Sequence, residues 1–123
     1  MKKLFYTLTL LIATLALSSC NFKDETEVTL KNSTEKPITF TSFSESVDSD
    51  LPLTIAAGSE SKISYESGAE DVTFKLTYDG KTYSGSTNYV QDYSEYTLTV
   101  YLDGSTLKNK VNSGTAYTLK EEN

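Results

Sequence analysis

The sequence predicts an all-β domain, an antiparallel β-sandwich, on three observations. Apolar residues recur at every second position in several runs, two of those runs end in Asp-Gly, and nothing beyond residue 20 repeats at the helical spacing. The elements follow in order. Glu27 to Lys31 carries Val28 and Leu30 on one face, and Pro37 to Phe43 carries Ile38 and Phe40. Leu51 to Ala56 carries Leu51, Leu53 and Ile55, and Ser61 to Tyr65 carries Ile63 and Tyr65. Clusters rich in Ser, Asn, Asp, Glu and Gly at 32–36, 44–50, 57–60 and 67–70 separate them as turns. Pro37 and Pro52 fall at the starts of their runs, where a missing backbone donor does least harm.

The second half is more regular. Val72, Phe74, Leu76 and Tyr78 alternate with Thr73, Lys75, Thr77 and Asp79, and Asp79-Gly80 then turns the chain into Lys81 to Ser86. A two-residue turn sets Tyr83 opposite Leu76 and Gly85 opposite Phe74. Tyr96, Leu98, Val100 and Leu102 alternate with Thr97, Thr99 and Tyr101 before a second Asp-Gly at Asp103-Gly104. The same turn there pairs Val100 with Leu107 and Tyr96 with Val111, apolar on apolar. Ala116 to Lys120 supplies a last strand with Tyr117 and Leu119. Seven to nine short strands read as a sandwich, immunoglobulin-like or similar, with a small β-barrel as the alternative. Tyr78, Tyr83, Tyr96 and Tyr117 fall on inward faces.

The N-terminus has a different character. Met1-Lys2-Lys3 is a positive head, Leu4 to Leu17 an apolar run of about fourteen residues, and Ser18-Ser19 the small residues of a cleavage site. That run is shorter than the roughly 20 residues that span a bilayer as a helix. Leu17-Ser18-Ser19-Cys20 resembles the lipobox of bacterial lipoproteins. The resemblance implies a signal peptide over 1–19, cleavage before Cys20, and a diacylglyceryl group with its palmitate-like acyl chains on the Cys20 thiol. Two acyl chains are about the minimum for a stable hold on a membrane. The expected organisation is therefore 1–19 signal peptide, 20–26 lipidated cysteine and tether, and 27–123 a single β domain. Lys23-Asp24-Glu25 is similar to the acidic export signal of surface lipoproteins in some Bacteroidota. Asn21 stands where the best-known inner-membrane retention rule has aspartate. Both lean towards the outer membrane or cell surface of a bacterial envelope.

Composition narrows the functions further. The eleven lysines include Lys2 and Lys3, whereas all seventeen acids lie beyond residue 19, so the remaining side chains carry 9 minus 17, or −8. With no arginine in the chain, a nucleic-acid partner is not expected. The absence of histidine and of any cysteine besides Cys20 removes Ser-His-Asp and Cys-His catalysis, intrachain disulfides and ordinary zinc sites. Asp48-Ser49-Asp50 offers two carboxylates as metal-ligand candidates, but Asp50-Leu51-Pro52 breaks the calcium-loop pattern, and neither a metal nor another cofactor is expected. Asn32-Ser33-Thr34 matches a glycosylation sequon and is read as a turn.

The candidate ligand-binding residues are Tyr89 and Tyr93, in the polar connection from Asn88 to Glu95, with Tyr101 on an outer face. Tyrosine suits recognition because it offers a rigid ring with a polar tip. The sequence thus predicts a membrane-anchored envelope lipoprotein, not an enzyme, whose β-sandwich is a binding or structural module for a glycan or protein partner. The alternative is a small envelope enzyme or inhibitor that works through carboxylates.

Overall fold

A computed structural model describes residues 24–122, so Cys20 and the rest of the lipobox lie outside the described residues. Ten strands follow one another: β1 (Glu25–Ser33), β2 (Ile38–Phe43), β3 (Leu53–Ile55), β4 (Glu60–Glu66), β5 (Thr73–Tyr78), β6 (Lys81–Ser86), β7 (Glu95–Asp103), β8 (Thr106–Val111), β9 (Ala116–Thr118) and β10 (Lys120–Glu122). They form two five-stranded sheets, ordered β4-β1-β7-β8-β9 and β10-β6-β5-β2-β3, that do not close into a barrel. No helix forms among the described residues. The fold is a β-sandwich.

Period-two alternation produces the core. Val28 and Leu30 of β1, Ile63 and Tyr65 of β4, and Tyr96, Leu98 and Val100 of β7 are buried from the first sheet. Ile38, Phe40, Phe74 and Leu76 meet them from the second. A bulge at Thr41 shifts the register of β2 against β5. The extra residue lets Phe40 and Phe43, three positions apart, face inward together, where their rings stack at 5.4 Å and Phe74 joins Phe40 at 5.7 Å.

The first hairpin has the expected register, Leu76 opposite Tyr83 and Phe74 opposite Gly85. Asp79 and Gly80 both take positive φ, 51° and 77°, as a type I′ turn demands. The second hairpin corrects its expectation. Val100 pairs with Asn109, Leu98 with Val111 and Leu102 with Leu107. The turn residues are Gly104 and Ser105, with Gly104 at φ 64°, the first-position glycine of a type II′ turn. Moving the turn by one residue shifts the partner by two, which leaves every side chain on its predicted face.

Three other expectations change. β1 and β7 run parallel, Val28 opposite Tyr96 and Leu30 opposite Leu98, the one parallel pair among the described strands. β1 already covers Glu25 and Thr26, and Thr26 is buried, so these two residues of the expected tether lie within a strand of the sandwich. The expected last strand is two strands: β9 pairs with β8, β10 pairs with β6, and buried Leu119 is the single residue between them. The chain changes sheets there, and Leu119 plugs the seam.

Candidate functional site

The connection from Thr87 to Ser94 starts where β6 loses its neighbour. β10 covers β6 only as far as Ser84. The Ser86 carbonyl instead accepts from Asn109 Nδ2 at 3.0 Å and Asn88 Nδ2 at 3.4 Å. Asn109 is 1% exposed and reaches from one sheet to the other in place of the missing strand; its Oδ1 has no protein partner. Thr87 accepts the Val72 N–H on its hydroxyl, and Asn88 turns the chain at φ 59°.

Val90 holds the middle of this connection. It is buried in the core, its N–H donates to the Glu70 carbonyl at 2.8 Å, and its carbonyl accepts from Tyr93 N at 3.1 Å. With Val90 turned in, Tyr89 and Tyr93 on either side are turned out, 56% and 43% exposed. The Tyr89 hydroxyl donates to Asp92 at 3.1 Å, and this carboxylate holds its pKa above the ordinary phenol value. The Tyr93 ring leans on Tyr96 at 6.0 Å.

Opposite stands the turn between β8 and β9, fixed by Asn112, which donates its N–H to Thr97 O and accepts the Thr97 N–H on Oδ1. Between the two connections lies an open groove of about 200 Å³ lined by Thr87, Asn88, Tyr89, Tyr93, Val111, Gly114, Thr115 and Tyr117. None of these side chains is charged. Tyr117 corrects the reading that placed it in the core. It shares a face with Asn109 across β8 and β9, but β9 is an edge strand, and the ring is 42% exposed at the groove.

Tyr101 is placed elsewhere. It lies near the other end of β7, six residues or about 20 Å along the strand from Glu95, with Lys110 Nζ 5.3 Å above its ring. The structure therefore brings Tyr89 and Tyr93 together with Tyr117, not with Tyr101. The alternation that placed Tyr117 inward carried no sign that its strand would be an edge.

Asp48 and Asp50 do not converge with other acids. Asp48 accepts the Ser64 N–H at 2.7 Å and donates its own N–H to Ser64 O, which fastens the 44–50 connection along the outer edge of β4. Among the described residues no three His, Cys, Asp or Glu side chains gather as metal ligands. Glu27 and Glu95 are neighbours across β1 and β7 at a shallow concavity that also holds Lys62, whose ammonium pairs with Glu27 at 3.3 Å. Asn32 is 1% exposed with its side-chain nitrogen bonded to backbone carbonyls, so it serves the turn and is not available to a glycosyl donor.

Beneath the tyrosines is a buried polar chain. The Tyr65 and Tyr96 hydroxyls meet at 3.0 Å, and the Thr26 hydroxyl bonds to Ser67 Oγ at 2.9 Å and donates to Tyr93 O at 3.2 Å. Burial first, then the neighbouring Tyr65 hydroxyl, pushes the Tyr96 phenol well above its ordinary 10.0. Burial raises Tyr65 as well, against the smaller opposing effect of its bond to Tyr96. Phenols that hold their protons more tightly when folded contribute stability that is complete below pH 10 and lost as pH rises above it. The unfolding free energy from urea titrations should fall as pH rises from 10 to about 11, by up to about 1.4 kcal/mol per pH unit per phenol, and less steeply in Tyr96→Phe. An identical slope in the variant would disprove the assignment.

The same network fixes where the chain enters. Asp24 O accepts from Ser67 N at 3.1 Å, Glu27 N donates to Ser94 O at 3.0 Å, and Thr26 holds Tyr93. The first described residue and the tyrosine groove are at one end of the sandwich, whereas β10 runs towards the other. Comparison with known protein families and with curated proteins finds no match to this chain.

Proposed function

We propose that this chain is a bacterial envelope lipoprotein, tethered to the outer membrane or cell surface by lipid on Cys20, whose β-sandwich is a non-catalytic binding module. The observation that carries the reading is the meeting of chain entry and tyrosine groove at one end of the domain. Cys20 is four residues from Asp24, a reach of at most about 14 Å. A lipid on Cys20 therefore keeps Tyr89 and Tyr93 within a short distance of the membrane surface. The anchor supplies the address, and the tyrosines supply a contact surface of rigid rings with polar tips. Two acyl chains provide membrane affinity enough without a spanning helix.

Mass spectrometry of the chain purified from its native membranes should give an N-terminus at Cys20 carrying diacylglyceryl and acyl masses. Cys20→Ser should leave the membrane fraction. An N-terminus elsewhere, or a bare thiol, would refute the anchor and with it the envelope address.

A further inference from the structure

We infer that the groove between Tyr89, Tyr93 and Tyr117 is a site for an uncharged glycan at the surface of the membrane that holds the chain. This rests on the binding-module reading above and names its ligand. The lining sets the chemistry. A sugar ring presents an apolar C–H face and a rim of hydroxyls, and the groove offers their complements: three exposed phenol rings for the face, with Asn88 and Thr115 for the rim.

Charge sets the sign. Asp24, Glu25, Glu66, Glu70, Asp71 and Asp92 crowd this end of the sandwich. Among the described residues no lysine lies in the connections 67–72, 87–94 or 112–115 that surround the groove. Phosphates and uronates are repelled there, and an uncharged chain of sugars is not. The same acids oppose pressing this end into lipid headgroups, since charge is expensive to carry towards hydrocarbon.

Size and composition exclude other occupants. At about 200 Å³ and open to solvent, the groove is smaller than the roughly 300 Å³ at which pockets for compact organic ligands begin. It fits one ring at a time of an extended polymer. Val111 is the single aliphatic side chain among the lining residues, too little apolar surface for the centre of a protein interface.

The chain has no tryptophan, so its emission comes from its tyrosines, three of which line the groove. The lipidated chain in a sugar-free detergent is titrated with gluco-, manno- and galacto-hexaose and, as the charged control, hexagalacturonate. At least one uncharged hexaose should change the emission saturably, with the galacturonate about tenfold weaker or more. Tyr89→Ala and Tyr117→Ala should each weaken binding about tenfold with an unchanged unfolding midpoint, and Tyr89→Phe should retain most of it. Tyr89 is the safeguard, because it is the most exposed of the three rings.

No response to any uncharged hexaose at millimolar concentration, or equal binding by the alanine variants, overturns the proposal. So does a change in emission on transfer from micelles to phosphatidylethanolamine and phosphatidylglycerol vesicles without sugar, which would make the bilayer the occupant. The two readings fail separately. A bare Cys20 removes the anchor while leaving hexaose binding measurable, and silence of every hexaose from a correctly lipidated chain removes the glycan alone.

Discussion

Asn32→Ala is expected to destabilise the domain by about 3 kcal/mol, a large share of the roughly 5–15 kcal/mol that a domain of this size possesses. Asn32 is the last inward position of β1 before the turn, and its amide organises three segments at once. Nδ2 donates to Lys36 O at 2.8 Å, to Ile55 O at 3.0 Å and to Ala56 O at 3.3 Å. Oδ1 accepts from Thr34 N at 3.0 Å and from Thr34 Oγ1 at 2.7 Å. Its backbone takes part as well, with Asn32 N donating to Ser59 O and Asn32 O accepting from Gly58 N. The side chain thus ties the β1–β2 turn to the β3–β4 turn at the end of the sandwich away from the groove. Alanine leaves the Thr34 N–H without its acceptor and Ile55 O without the amide donor in a place that is 1% exposed, while Lys36 O keeps Thr34 Oγ1 and Ala56 O keeps Ser59 N. Each orphaned buried group costs about 1–3 kcal/mol, reduced where water can enter. Asn32→Asp should be worse than alanine, because a carboxylate would face carbonyl oxygens with no donor of its own. Urea unfolding at neutral pH measures both, and an alanine variant within about 0.5 kcal/mol of the parent would disprove the account.

What the sequence could and could not disclose follows from the range of each signal. The hairpin at Asp79-Gly80 was legible because turn and alternation are local and agree. The hairpin at Asp103-Gly104-Ser105 was legible in its faces but not in its register, since three consecutive turn-forming residues offer two adjacent two-residue turns, and both conserve the inward set. The parallel pairing of β1 with β7 joins residues nearly seventy apart. No local pattern encodes it, because Val28 and Leu30 would look the same beside any apolar strand. Tyr89 and Tyr93 were found as candidates because polar residues surround them, a signal of loop exposure. Tyr117 was misplaced because alternation reports which face a residue occupies and not whether the opposite sheet extends far enough to cover it. Asn109 went unnoticed for a related reason: a polar residue between Leu107 and Val111 has a purpose only once Ser86 is known to lack a strand neighbour on the β10 side.

The packing around Leu119, where the chain changes sheets, carries the other large effect. Gly85→Ala is expected to cost about 2 kcal/mol and Gly85→Val about 4, even though either residue is a better strand former than glycine. Gly85 is directly opposite Phe74 in the hairpin, and a Cβ there would stand 2.7 Å from Phe74 Cζ and closer still to Leu119 Cδ2. Both neighbours are core side chains, and Phe74 is locked against Phe40 and Phe43, so Leu119 must give way. Leu119→Ala alone should cost about 2–5 kcal/mol through the cavity it opens in the seam. Combining Gly85→Ala with Leu119→Ala should cost less than the sum by about 1 kcal/mol or more, because the new methyl enters the space the leucine vacated. Strict additivity in urea midpoints would refute the clash. The pair also reaches the groove without touching it: Tyr117 is two residues before Leu119 on a three-residue strand, and displacing Leu119 loosens the strand that presents the ring. Gly85→Ala should therefore weaken hexaose binding even under conditions where the domain remains folded. The double variant, with the clash relieved, should recover part of that loss, a reversal that general destabilisation would not produce.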